Sequence, residues 1–169
     1  PSGVTFSQNG VSGLVNSNNI GNLFNSDLSN VDANDLAAFA VVIENTGGYP
    51  AYWIHLDDFI PWDKSTGAKC FEIVPNSISV RDGAGQTLTP LMGVSGANFA
   101  LNLVNTTNLP AYSPTSGTNI IIVTFQVRML KNLKAGCCEN TADLTRYTSD
   151  PNSSNPDAVG QDFIASGFG

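Results

Sequence analysis

Charge is scarce in this chain. Asp, Glu, Lys and Arg make up 12% of its 169 residues, with 7 cations against 14 anions and a single histidine. A net charge of −7 lacks the cationic surplus that a nucleic-acid binder needs to neutralise phosphates. It equally disfavours a polybasic membrane-surface module. No apolar run approaches the ~20 residues of a membrane-spanning helix, so no membrane span is expected. No segment carries a 3.6-residue apolar stripe, which leaves little room for helices. No Gly-x-Ser-x-Gly nucleophile motif occurs, and the one histidine, His55, sits inside a predicted strand beside Trp53, so the chain reads as not an enzyme.

Small uncharged polar residues fill the gap. There are 19 Asn, 16 Ser, 13 Thr and 16 Gly, residues that favour turns and, for Thr, pleated strands. Hydrophobic residues at 41% are still enough to bury a core. The composition therefore points to one all-β domain with many turns, and its paucity of Lys and Glu to an extracellular or cell-surface setting. The chain opens on Pro1, as a processed chain or a piece of a longer one would.

Period-two alternation locates the strands. Leu36–Glu44 is apolar on both faces and is expected to be central. Residues 51–56 alternate Tyr52, Ile54 and Leu56 against Trp53 and His55. Short strands follow at 71–74 and 78–80, on either side of Pro75-Asn76, with Asp82-Gly83 as a hairpin-type turn. Residues 99–104 alternate again. The clearest case is 119–129, where Ile121, Val123, Phe125, Val127 and Met129 oppose Ile122, Thr124, Gln126 and Arg128. A strand over 140–147 and a last short one at 162–165 complete the set. Seven or more such strands predict an immunoglobulin-like β-sandwich, with residues 1–35 as a lead-in, 36–150 as the sandwich core and 151–169 as a short C-terminal tail of the same domain.

Several stretches together resemble a repeat domain of prokaryotic and algal cell-surface proteins. They are the strand ending Asn45-Thr46-Gly47, its partner with Asp58 three residues before Pro61, the 75–83 hairpin, and the closing pair of Phe125-Gln126-Val127-Arg128 with Asn140-Thr141-Ala142. The resemblance spans residues 36–150. It implies a structural module of long extracellular proteins such as filaments, appendages or surface layers, with copies of itself or neighbouring repeats as partners and no catalysis. On physical grounds Asn45 and Gly47 are expected to supply left-handed backbone at a tight turn, and Asp58 to accept N–H bonds from the following loop.

Candidate sites follow from residue chemistry. In an oxidising compartment Cys70 is expected to pair with Cys137 or Cys138, since adjacent cysteines rarely bridge each other. One thiol is then left over. Zinc on Cys70, Cys137, Cys138 and His55 is disfavoured by the missing spacer between the adjacent pair. Calcium, the possible cofactor, has candidates in Asp57 and Asp58, with Asp63 beside them, and in Asp150 and Asp157, with Asp162. Solvated turn carboxylates are the favoured reading of those clusters and of Asp27, Asp32 and Asp35. Asn105 and Asn152 open N-glycosylation sequons. Val4, Phe6 and Val11 in the lead-in are candidates for a strand added to a neighbour's open sheet edge. The alternative function is an adhesin-type module binding glycan through its end loops, with Tyr49, Tyr52, Trp53, Trp62 and Tyr112 as stacking aromatics.

Overall fold

The computed structural model describes residues 14–20, 31–59, 63, 67–95, 98–103, 108–131, 138 and 141–151. These residues are all-β, with eight strands among them in two antiparallel sheets: β1 (Leu36–Glu44), β2 (Tyr52–Phe59), β3 (Phe71–Ile73), β4 (Ser79–Asp82), β5 (Leu91–Ser95), β6 (Asn98–Leu103), β7 (Ile120–Met129) and β8 (Thr141–Thr148); the strand expected at 162–165 lies outside them. In the first sheet β1 pairs along one edge of β7, and β3 and β4 share the other. The second runs β5-β6-β2-β8.

Alternation within each strand aims one face at the other sheet. Ile54 and Leu56 of β2, Phe99, Leu101 and Leu103 of β6, and Ile121, Val123, Phe125, Val127 and Met129 of β7 form a common buried core. Phe125 lies at its centre. Phe39 stacks on it at 5.7 Å, and Phe99, from the opposite sheet, meets it edge-on at 5.1 Å. Such aromatic pairs add about 0.5–1.5 kcal/mol beyond area burial.

Leu36–Glu44 is an edge strand, not the central one its apolar faces suggested. β7 holds the centre. The second apolar face has another cause: Val42 packs against a small separate core of Val15, Ile120 and Ile122, with Ile20 beside it. Residues 14–20 thus cover the outer face of the first sheet at the start of β7. They form a turn there. The Val15 N–H donates to the Gly83 carbonyl at 2.8 Å, and the Gly83 N–H donates to the Gly117 carbonyl at 2.9 Å. Three backbones meet with no room for side chains. A Cβ on Gly83 would collide with the Val15 carbonyl oxygen and come within 2.6 Å of the Gly117 oxygen, and Gly117 has a left-handed φ of 72°.

β3 and β4 are two pieces of one ladder interrupted at 74–78. Asn76 turns the chain there at φ 61°. Across the gap the Gln126 N–H donates to Ser77 Oγ at 3.0 Å, and the Val74 N–H to the Gln126 carbonyl at 2.9 Å, so β7 keeps its backbone partners. The next turn, at 82–86, is a wider loop than Asp82-Gly83 alone implied, with Gly85 at φ 90°. The Asp82 carboxylate accepts the Gln86 N–H at 2.7 Å and closes it.

In the second sheet the β2–β8 ladder slips twice, between Tyr52 and His55 and again between His55 and Leu56. Trp53, at φ 55°, lies within the first slip, where β2 has one residue more than β8. A bulge of this kind re-aims the side chains around it.

Gly83→Ala is expected to lower the unfolding free energy by about 2–4 kcal/mol, because the new methyl must push the packed backbones away from each other. Gly48→Ala, with nothing within 4 Å of its Cβ position, should stay within about 0.5 kcal/mol of the parent. Urea midpoints at constant m-value compare the two; equal effects would refute the close junction.

Candidate functional site

A β-strand at the rim of a sheet leaves half its N–H and C=O groups unpaired, and soluble proteins usually blunt such rims with charge, proline or a covering loop. β5 does not. It follows Pro90 and pairs through its whole length with β6, Leu91 opposite Asn102 and Ser95 opposite Asn98, and with no other described strand. All five residues are exposed, and none is charged. Leu91 and Val94 are 62% and 58% exposed, and Met92 is also open. Gly93 has nothing within 4 Å of its Cβ position, so the strand is slim at its middle.

The register sorts these side chains. Met92 and Val94 sit opposite the core residues Leu101 and Phe99, on the face that continues the core outward. Leu91 lies opposite Asn102 on the outer face. Beside Val94 a shallow groove of about 280 Å³ is lined by Gly93, Ser95, Phe99, Ala100 and the end of β2, where Phe59 is 45% exposed. The result is a five-residue edge, about 17 Å long at the usual strand rise, with an exposed apolar row and an adjoining hollow.

The only histidine lies elsewhere on this sheet. His55 Nε2 is 3.1 Å from Asp57 Oδ1, on the outer face and flanked in register by Asn102 and Arg146. The Thr145 hydroxyl donates to the backbone carbonyl of His55, not to its ring.

The acidic clusters separate. Asp57 and Asp58 are successive strand residues and so point to opposite faces; Asp58 is fully buried, opposite Phe99 and Ala142, while Asp57 stays half-buried beside His55. The two carboxylates therefore do not share one face of the strand. Asp150 donates its N–H to Thr148 Oγ1 in a local turn, and Asp157 and Asp162 lie outside the described residues. Asp35 accepts the Asp32 N–H at 2.9 Å, a turn carboxylate of the ordinary kind. Among the described residues no three His, Cys, Asp or Glu side chains converge.

Asn45 works through its side chain, not through a left-handed backbone: neither it nor Gly47 has a positive φ. Its amide donates to the carbonyls of Tyr49, Leu109 and Pro110 at 2.9, 3.2 and 2.9 Å, and its oxygen accepts the Gly47 N–H. One side chain thus ties two end loops together.

Of the two pairings open to Cys70, the structure forms Cys70–Cys138, a bond across 68 residues. Cys70 directly precedes β3 and Cys138 precedes β8, so the bridge staples one sheet to the other. It also takes two of the four zinc candidates. Cys137, Asn105, Asn152, Trp62 and the assembly residues Val4, Phe6 and Val11 lie outside the described residues. Tyr49 is 79% exposed and Tyr112 48%, whereas Tyr52 and Trp53 are half-buried in β2.

β5 itself escaped the sequence reading. Its Gly93 breaks the alternation and its length of five gives periodicity little to act on. Pro90 before it and a Leu-Met-Gly-Val run were the available signal. Comparison of the chain with protein-family models, with curated proteins and with solved structures found no match.

Closing so long a loop is worth about 4 kcal/mol in the chain-entropy picture. Cys138→Ser should therefore cost about that much in denaturant unfolding, and Cys137→Ser little. Equal losses for both variants would mean that the bridge is shared between them.

Proposed function

We propose that this chain is a structural subunit of an extracellular assembly, joined to its neighbours by strand addition at the β5 edge. The observation that carries the reading is the composition of that edge: five exposed residues, three of them large and apolar, with no charge to repel a partner strand. The inter-sheet disulfide supports an oxidising compartment, as does the low content of Lys and Glu. The resemblance of residues 36–150 to surface-protein repeats belongs to the same reading.

The donor is the N-terminal segment of a neighbouring copy. Residues 1–13 precede the buried Val15, and extended they reach about 45 Å, well beyond the edge they must cover. Val4 and Phe6 have the strand period of two, which sets both on one face beside Met92 and Val94 of the acceptor. Val11 lies nearer the tether. Main-chain hydrogen bonds supply affinity in such a joint, and the side-chain row supplies register. Because Val15 belongs to the acceptor's own fold, a clean removal of the donor stops at residue 13.

Val94→Lys places a charge in the apolar row at a site where the side chain is already mostly exposed. Light scattering after size-exclusion chromatography should show multimers for the parent chain, and monomers of unchanged melting temperature both for Val94→Lys and for a chain lacking residues 1–13. Undiminished multimers from either variant, or a parent chain that stays monomeric at high concentration, would refute strand addition at β5.

A further inference from the structure

We propose that the cleft between the 82–86 turn, the 108–110 segment and the start of β7 binds a neutral oligosaccharide. Its volume is about 460 Å³, within the ~300–1,000 Å³ of small-molecule sites and roomy enough for roughly one or two sugar rings. It lies at the sandwich end and is distinct from the β5 edge and its groove.

The lining matches a sugar's chemistry. Asp82, Gln86, Thr87, Thr89, Asn108 and Thr118 present carboxylate, amide and hydroxyl groups, a mixture of donors and acceptors. A sugar hydroxyl is both, so it can engage either kind. Leu88 and Pro110, both half-buried, supply apolar surface for the C–H faces of a ring. Among the described residues no Lys or Arg lines the cleft. With a carboxylate in the wall and a chain charge of −7, sialylated, sulfated and phosphorylated ligands are disfavoured.

The walls are held before any ligand arrives. Asp82 is only 6% exposed, and its Oδ1 accepts the Gln86 N–H at 2.7 Å, which fixes the carboxylate's orientation. The returning arm is bound by the Arg81–Thr87 bridge and by the Leu88 N–H to the Val80 carbonyl. The 108–110 wall is pinned by two bonds between Ala51 and Leu109, each 2.8 Å. Groups already in place lose less freedom on binding, which favours small polar ligands.

Aromatic side chains stand on the adjoining loops. The Asn45 amide clips the Tyr49 loop to Leu109 and Pro110, and the Tyr112 N–H donates to the Gly47 carbonyl at 2.9 Å. Tyr49 and Tyr112 are both exposed on these tied loops, and neither lines the cleft.

The test is an array of neutral gluco-, galacto-, manno- and xylo-oligosaccharides alongside sialylated and sulfated ones, probed with the full chain and followed by saturation-transfer NMR on the best binder. Neutral oligosaccharides should bind, and Asn108→Ala and the double variant Thr87→Ala/Thr89→Ala should each weaken binding roughly tenfold or more. All three side chains are exposed, so melting temperatures should not change. Val94→Lys should bind as the parent does, which separates failure of this site from failure of strand addition. No binding of any neutral oligosaccharide at millimolar concentration would overturn the proposal. So would preference for acidic glycans, or parent-like binding by both cleft variants.

Discussion

Four consecutive residues at the start of β7, Ile120 to Val123, are fully buried, and both faces of a strand can be buried only if something covers each. The second sheet covers Ile121 and Val123; the turn at 14–20 covers Ile120 and Ile122. This double burial explains why the first sheet is built around β7 and why the chain before β1 belongs to the fold. Exposing the side chains of Ile120 and Ile122 would cost about 1.5–3 kcal/mol each, a sizeable share of a marginal stability. The glycines at 83 and 117 are the local condition for that cover, since only bare backbone lets Val15 approach so closely.

The second sheet lacks such a cover among the described residues. Its core face is complete through β6, but the row continues outward onto β5, where Met92 and Val94 are open. The core thus extends past the last strand that has a partner on both sides. This imbalance between the two sheets underlies the assembly reading: one sheet has used a piece of the chain to finish itself, and the other presents an unfinished edge. The end loops are the opposite case, tied by Asn45 and bordering a polar cleft.

Much of the fold was legible from alternation. Ile54 with Leu56, Phe99 with Leu101 and Leu103, and the odd-numbered residues of β7 all face inward as their spacing implied. Alternation reports that a face is dry, however, and not what dries it. Leu36–Glu44 is apolar on both sides, which suggests a central strand, yet it lies at an edge with its outer face near the lead-in. Asp57 and Asp58, adjacent in sequence, fall on opposite faces for the same period-two reason that locates the strand. β5 is too short, and too interrupted by Gly93, for periodicity to register.

By itself the sequence determined the all-β class, most of the strands, the inward faces and the involvement of Cys70 in a bridge, because these follow from local periodicity and the chemistry of single residues. The tertiary structure alone decided the rest: Cys138 as the partner, Val15 as a plug, Asn45 as a clip between loops, and β5 as the open edge. Each of those depends on residues far apart in the chain meeting in space, and strand order, which sets those meetings, leaves no mark on the alternation of any one strand.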